Sequence, residues 1–343
     1  MTEAEATDGP VTIYTVAERA GVSIATVSRV LQGSARSSPL TRQKVLRAVE
    51  ELDYVPLRAA RTVDVKRYEA HGLVLPGLQG PYFAELLAGY ESTAAQYGQS
   101  VVVVLSGGLA DLNTILRTLL ARVDGLVLAG GTASDTMVRT LARSTPTVML
   151  ARAPIEGCHM VAVENRESVA TLTTHLLGHG RRRLVFAGDP ETSHDIHERY
   201  AGFADALVQA GLREALPPID VWFEEPSAPE IVKRLLAARS EVDAVVCAND
   251  ELALATMSLL GRAGVRVPDD LAIVGFDDIM ASRYVEPGLT TVKQPTHSLG
   301  RWAAIRLHER IQGPTRDVQP QILPTQVVLR GSCGCPWDGS ICD

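Results

Sequence analysis

The chain has 343 residues, enough for two or three domains, and 46% of them are hydrophobic, an ordinary share for a soluble globular protein with a real core. Its net charge of −7 divides unevenly, +5 over residues 11–67, −3 over residues 1–10 and −9 over the rest, so a basic segment near the N-terminus, suited to phosphate binding, sits on an acidic body. No apolar run approaches the ~18 residues of a membrane span and no secretory leader is visible, so no membrane span is expected and the cytosol is the expected compartment.

Residues 1–10, acidic and small, are expected to be a disordered tail. Residues 15–31 then read as two short helices joined at Gly21, which can take the positive φ of a tight turn, with Ser23 as N-cap of the second helix. This is a helix-turn-helix. Val16, Ala17 and Ala20 line the inner side of the first helix, and Val27 and Leu31 that of the second. Ile24, Ala25, Ser28 and Arg29 are left on the outer side, where they can reach bases in a major groove. Ser38 and Pro39 are an N-cap and first-turn proline for a third helix carrying Val45, Leu46, Val49 and Leu52. Residues 57–63 form a short basic segment that is expected to become helical only against a partner.

These motifs, in this order, resemble the headpiece and hinge of the LacI/GalR family of bacterial transcription regulators. The resemblance implies DNA contacts from Thr12, Tyr14, Ser23, Ile24, Ala25, Thr26, Ser28 and Arg29, and from Arg58, Ala60 and Val63 in the hinge. Arg29 suits a bidentate contact to guanine, and Ile24 or Ala25 an apolar contact to a thymine methyl. Val63 stands where the family usually has a minor-groove leucine wedge, and Asp53 where it usually has glycine. Alanine at the second reading position implies an operator with a central CG step.

Past residue 67, short β-branched runs at 73–75, 101–104, 126–128, 147–150, 184–186, 244–246 and 271–274 alternate with helical segments at 82–97, 112–121, 166–177, 198–210, 229–238 and 251–262. Strands buried on both faces look like this, so the body is α/β with parallel sheets. So many strands favour two sheets, with a ligand at the strand ends between the lobes. The fold class is therefore a small all-α helix-turn-helix headpiece joined by a hinge helix to a two-lobed body with parallel sheets, like that of periplasmic binding proteins. The expected boundaries are a headpiece over 11–56, a hinge over 57–67 and an effector-binding domain over 68–331. Within that domain the N-lobe spans about 71–164 plus 295–322 and the C-lobe about 165–291 plus 323–331, and a flexible tail fills 332–343.

The body loops also match the family, whose resemblance implies effector contacts from Tyr82, Phe83, Arg152, Asp195, Arg199, Asn249, Asp277 and Gln294. Guanidinium and carboxylate groups can each grip two neighbouring hydroxyls, and an aromatic ring packs on the C–H face of a sugar. His194, Asp195 and His197 fall in the loop before Arg199. Sugar-binding relatives often carry aspartate at the position of Ala151; its absence beside Arg152 and Arg199 predicts a more cationic pocket. A phosphorylated or acidic effector, or a nucleobase, is then the alternative to a neutral sugar.

Five cysteines, Cys158, Cys247, Cys333, Cys335 and Cys342, read as free thiols in a cytosolic chain. The spacing of the last three is not a recognised zinc pattern, so no metal and no cofactor are expected. No nucleophile elbow or phosphate loop appears, so no enzyme is expected. The expected function is a repressor of carbohydrate uptake or catabolism genes, with double-stranded DNA carrying a pseudo-palindrome, a small-molecule effector (a sugar or sugar derivative) and a second copy of the chain as partners, and no membrane. A solute-binding protein without DNA affinity is the alternative from another class.

Overall fold

A computed structural model describes residues 12–31, 38–52, 54, 68–107, 112–191, 193–221, 225–313 and 320–336. The headpiece is three helices, α1 (Ile13–Ala20), α2 (Ile24–Leu31) and α3 (Pro39–Glu51). Gly21 ends α1 at φ 63°, as the tight turn requires, and its N–H donates to the Glu18 carbonyl at 3.1 Å. Ser23 Oγ accepts from Thr26 N–H at 3.2 Å, and Ser38 Oγ accepts from Thr41 N–H at the same distance with Pro39 behind it. Val16, Ala17, Ala20, Val27, Val30, Val45, Ala48, Val49 and Tyr54 make one core. Two details differ from the periodicity: Val30 is buried more completely than Leu31, and Ala48 fills the α3 contact while Leu46 is exposed. A close helix pair leaves room for alanine where a leucine would not fit. Asp53, Arg58, Ala60, Val63 and the rest of the hinge lie outside the described residues.

The body has two lobes. Strands β1 (Ala70–Leu75), β2 (Ser100–Leu105), β3 (Gly125–Ala129), β4 (Thr147–Leu150) and β5 (His159–Val163) enter the first lobe in turn, alternating with α4 (Gly80–Gln96), α5 (Leu112–Leu120) and α6 (Asp135–Ala142). The second lobe holds β6 (Leu184–Ala187), β7 (Ala244–Cys247) and β8 (Ala272–Val274) with α7 (Arg166–Gly178), α8 (His194–Gln209), α9 (Ala228–Ala237) and α10 (Asp250–Arg262). After β9 (Thr291–Lys293), α11 (Thr296–Gln312) and β10 (Gln321–Leu323) return to the first lobe, and β11 (Gln326–Val328) crosses back to pair antiparallel with β9. The N-lobe sheet runs β10-β5-β4-β3-β1-β2 and the C-lobe sheet β6-β7-β8, every pair parallel. Every residue of β1, β3, β4 and β5 is buried, as the continuous apolar runs demand, whereas edge strand β2 is only half-buried. Helices α4 and α11 touch along their backbones, because a Cβ at Gly89 would strike the His297 carbonyl and one at Gly300 the Leu86 carbonyl.

Strand β5, helices α6 and α11 and the short strands β9 to β11 carry no sequence signal strong enough to have been expected. Ser332 and Cys333 correct the expected tail. They are wholly buried in a 3-10 turn, where Ser332 Oγ donates to the Ile273 carbonyl at 2.6 Å and accepts from Thr290 N–H at 2.9 Å. Residues 337–343, with Cys342, lie outside the described residues. Among the described residues, no helix is long and apolar enough to cross a membrane.

Candidate functional site

Two sites emerge, one on the headpiece and one between the lobes. On the headpiece, Ser23, Ile24, Ala25 and Arg29 form an exposed ridge along α2, with Thr26 and Ser28 half-buried at its edges. Tyr14, 68% exposed, stands on α1, and Thr12 opens that helix with its N–H donating to Thr15 Oγ1 at 2.9 Å. Among the described residues, the Arg29 guanidinium donates to its own helix, to the Ala25 carbonyl at 3.1 Å and Thr26 Oγ1 at 3.5 Å. Such local bonds are cheaply exchanged for a base edge or phosphate, since the side chain sits in water either way. The Arg19–Glu51 ion pair at 2.8 Å holds α1 to α3 behind this ridge.

Between the lobes lies a cavity of about 410 Å³, in the range of small-molecule sites. Its N-lobe wall is mostly apolar (Leu75, Pro76, Tyr82, Phe83, Leu86, Leu150) and its C-lobe wall mostly polar (Ser193, Asp195, Arg199, Asn249, Glu251, Asp277), with Gln294 at the crossing between the lobes. Tyr82 and Phe83 meet edge to face at 5.1 Å. Burial and the facing Asp195 and Asp277 carboxylates hold the Tyr82 hydroxyl protonated, its pKa far above that of free tyrosine.

Arg199, on the buried face of α8, donates to Asn165 Oδ1 at 2.8 Å and to the Ala248 carbonyl at 2.7 Å, and stacks 3.7 Å above the Phe276 ring. Asp277 Oδ1 lies 3.9 Å from it and accepts from Gln294 Nε2. Burial pushes the Asp277 carboxyl up to about 8, although Arg199 pulls it down. Asp277 and Asp278 both hold positive φ, 130° and 55°, and Asp278 is anchored by Arg330 at 2.6 Å. Consecutive left-handed aspartates cost about 1–3 kcal/mol each and persist only where their surroundings fix them. Behind them Asp250, wholly buried, accepts from Ile279 N–H, Ser282 Oγ and Thr291 Oγ1 at 3.0, 2.6 and 2.5 Å, which sets the backbone of that loop.

Two polar atoms on this cavity are buried without a hydrogen-bond partner among the described residues, Asp195 Oδ1 and Gln294 Oε1. Both are acceptors. Asp195 lies in the first turn of α8, which begins at His194, so the expected loop before Arg199 is helix. Ser193 caps it early, its Oγ accepting from Ile196 N–H at 3.3 Å.

Seven of the eight residues expected at the effector site, Tyr82, Phe83, Asp195, Arg199, Asn249, Asp277 and Gln294, share this cavity. Asn249 spends its Oδ1 on the Leu252 N–H at the start of α10. Arg152 is the exception and a correction. Its guanidinium turns away from the cavity to the Ala133 carbonyl at 3.0 Å and Asp135 at 2.5 Å, drawn there by the start of α6. With it goes the expectation of a cationic pocket. Among the described residues that line the cavity, Arg199 faces three carboxylates, Asp195, Glu251 and Asp277. Glu251 was not anticipated; it crosses to the N-lobe, where a Cβ at Gly80 would collide with its carboxylate. Its position two residues after a strand-end asparagine was the signal available.

Residues 12–56 match the bacterial regulatory proteins of the lacI family, and residues 173–333 a periplasmic binding protein-like domain. The chain is 31% identical over 330 residues to the HTH-type transcriptional repressor PurR of Pasteurella multocida, covering 94% of this chain and 98% of that protein. Its structure is similar to that of the transcriptional regulator CelR in complex with cellobiose (TM-score 0.74, 31% identity, 94% of this chain and 100% of that one). It is also similar to the lac repressor dimer bound to operator and the anti-inducer ONPF (TM-score 0.71, 28% identity, 95% and 99%).

Proposed function

Because the chain belongs to the lacI family of bacterial regulatory proteins, we propose that it is a ligand-responsive repressor of carbohydrate uptake or catabolism genes whose α2 ridge reads a pseudo-palindromic operator and whose cleft takes a neutral polyhydroxylated effector, a sugar or sugar derivative. The observation that carries the effector class is the pair of unpartnered buried acceptors, Asp195 Oδ1 and Gln294 Oε1. A buried acceptor without a donor costs roughly 1–3 kcal/mol, so a ligand that brings hydrogen-bond donors into the cleft suits both residues. Hydroxyl groups do so. A phosphate group brings chiefly acceptors, and Arg199 is the single cation among the described residues lining the cavity, beside the carboxyl groups of Asp195, Glu251 and Asp277. The Tyr82 and Phe83 wall supplies the surface for the C–H face of the sugar ring.

In this reading the protein works in the cytoplasm as a homodimer, with Ile24, Ala25 and Arg29 of each copy in successive major grooves. The cleft binds its ligand and does not transform it. Glu251 over Gly80 fixes how closely the lobes approach, and a ligand spanning both walls changes that approach. Operator and effector affinities then alter each other by the same factor. A solute-binding role leaves residues 12–56 without a task.

Affinity selection of genomic DNA by the purified protein at two salt concentrations, followed by titration of the recovered operator complex with neutral sugars, sugar phosphates and nucleobases, tests both halves. The expected outcome is a palindrome beside transport or catabolic genes and a response to a neutral sugar. Binding that has no sequence preference and vanishes with salt would remove the operator reading. A response confined to sugar phosphates or nucleobases would remove the effector class.

A further inference from the structure

A second cluster of chemistry-bearing side chains lies on the C-lobe and shares no residue with the cleft. His175 and His179 stand four apart at the C-terminal end of α7, so their rings project from one face of the helix. The chain returns to that face at its far end, where Cys333 closes a 3-10 turn and Gly334, at φ 108°, reverses the backbone so that Cys335 points the same way. The four ligand atoms, His175 Nε2, His179 Nε2, Cys333 Sγ and Cys335 Sγ, all lie within 4.8 Å of one another.

The distances are those of a tetrahedron's edges. His175 Nε2 and His179 Nε2 are 3.2 Å apart. Cys333 Sγ and Cys335 Sγ lie 3.4 and 3.3 Å from His175 Nε2, and Cys335 Sγ lies 3.3 Å from His179 Nε2. A zinc ion with bonds of about 2.0 Å to nitrogen and about 2.3 Å to sulfur requires edges of roughly 3.3 Å between nitrogens and about 3.5 Å between nitrogen and sulfur. We propose that His175, His179, Cys333 and Cys335 hold one zinc ion in a closed Cys2His2 site that fastens the end of the chain to α7.

The donor set fits a borderline-soft, redox-inert ion, and its balance is electrically neutral: the divalent ion replaces the two thiol protons, which leave to solvent, and both imidazoles bind uncharged. Neutrality allows Cys333 to sit wholly buried. Thr290 Oγ1 lies 3.1 Å from Cys333 Sγ, in position to donate to a thiolate. The exposed ring of His179 provides the way in from solvent. With four protein ligands no open position remains, so the site is structural and lends the ion no catalytic role.

The test uses the full-length reduced protein, stripped with a chelator and titrated with Co2+. One equivalent should produce the strong visible bands of a tetrahedral centre together with thiolate-to-cobalt charge transfer, and one equivalent of Zn2+ should abolish both. Zn2+ should also raise the melting temperature of the stripped protein. His179→Asn, at an exposed ring, and Cys335→Ser should each lose the charge-transfer bands and the thermal response, while Cys342→Ser should keep them. A pale octahedral spectrum, no cobalt uptake by the reduced protein, or unchanged binding in the folded His179→Asn variant would each overturn the site.

Discussion

The α2 ridge and the cleft each carry an arginine on a helix, yet they hold it in opposite ways. On the ridge, Arg29 is exposed and, among the described residues, bonds to the turn beneath it. In the cleft, Arg199 is 8% exposed and tied to Asn165, Ala248 and the Phe276 ring. On the function proposed above, the difference separates two kinds of residue. A group that must meet a large, hydrated, anionic partner can wait in solvent at little cost, because phosphate contacts replace water contacts. A group that must meet a small ligand in a confined space is preorganised by the fold, and the fold then depends on it. Substitutions on the ridge should therefore change binding without changing stability, and substitutions in the cleft should change both.

Arg199→Ala is the harshest trial of that contrast. It leaves Asn165 Oδ1 and the Ala248 carbonyl without their donor and Asp277 without its cation. Removing one member of a buried pair costs about 3–5 kcal/mol. Asp277 already titrates near 8 through burial, and losing Arg199 raises it further. A carboxyl whose folded pKa lies above its unfolded value favours the folded state at acid pH, and that contribution is lost as pH rises through the folded pKa. The variant should accordingly be least destabilised near pH 5 and most destabilised above pH 8, as read by urea unfolding across that range. Equal loss at every pH would mean that Asp277 does not respond to Arg199. The same variant should bind operator while folded and fail to respond to effector.

Arg29→Ala belongs to the other side of the contrast. Its unfolding free energy should stay within about 0.5 kcal/mol of the parent, since only exposed contacts are lost. Operator affinity should fall by about 1–3 kcal/mol, and selectivity should relax at one base position. Selection of randomised operators by the variant decides it. Unchanged selectivity would take Arg29 off the reading face, and a large loss of stability would break the contrast.

The contrast also explains what the sequence made legible. The headpiece turn, its caps and its ridge are set by residues within one or two turns of each other, so Gly21, Ser23 and Ser38 announce them directly. Seven cleft residues were found from a resemblance that carries strand-end loops, but the direction of each side chain is settled by neighbours far along the chain. Arg152 shows this: the backbone delivers it beside the cleft at the end of β4, and Asp135 turns it away. Glu251 was missed because its role depends on Gly80, in the other lobe. The His175 and Cys333 pairing spans 158 residues: the two histidines four apart on α7 have a usable metal spacing, but the C-x-C pair does not, and nothing local joins the two halves. The C-x-C pair looked like part of a tail only because nothing local shows that Ser332 is bonded to β8.

The smallest effect is the most discriminating, because it falls between the two regions. Ser38 is neither on the ridge nor in the cleft; its hydroxyl caps α3 by accepting from Thr41 N–H at 3.2 Å. Ser38→Ala removes one acceptor from a helix start where Pro39 already spares another donor, so its cost should be about 1 kcal/mol. Helix α3 contributes Val45, Ala48 and Val49 to the core against which α1 and α2 pack, so a loosened start is felt by the whole headpiece. Operator affinity should then fall by a similar amount for every sequence, without relaxed selectivity at any base, while effector binding to the body stays the same. Comparing selection profiles of Ser38→Ala and Arg29→Ala at matched affinity separates the two causes. A selectivity change from Ser38→Ala would mean that the ridge is not held as a rigid unit by the helix behind it.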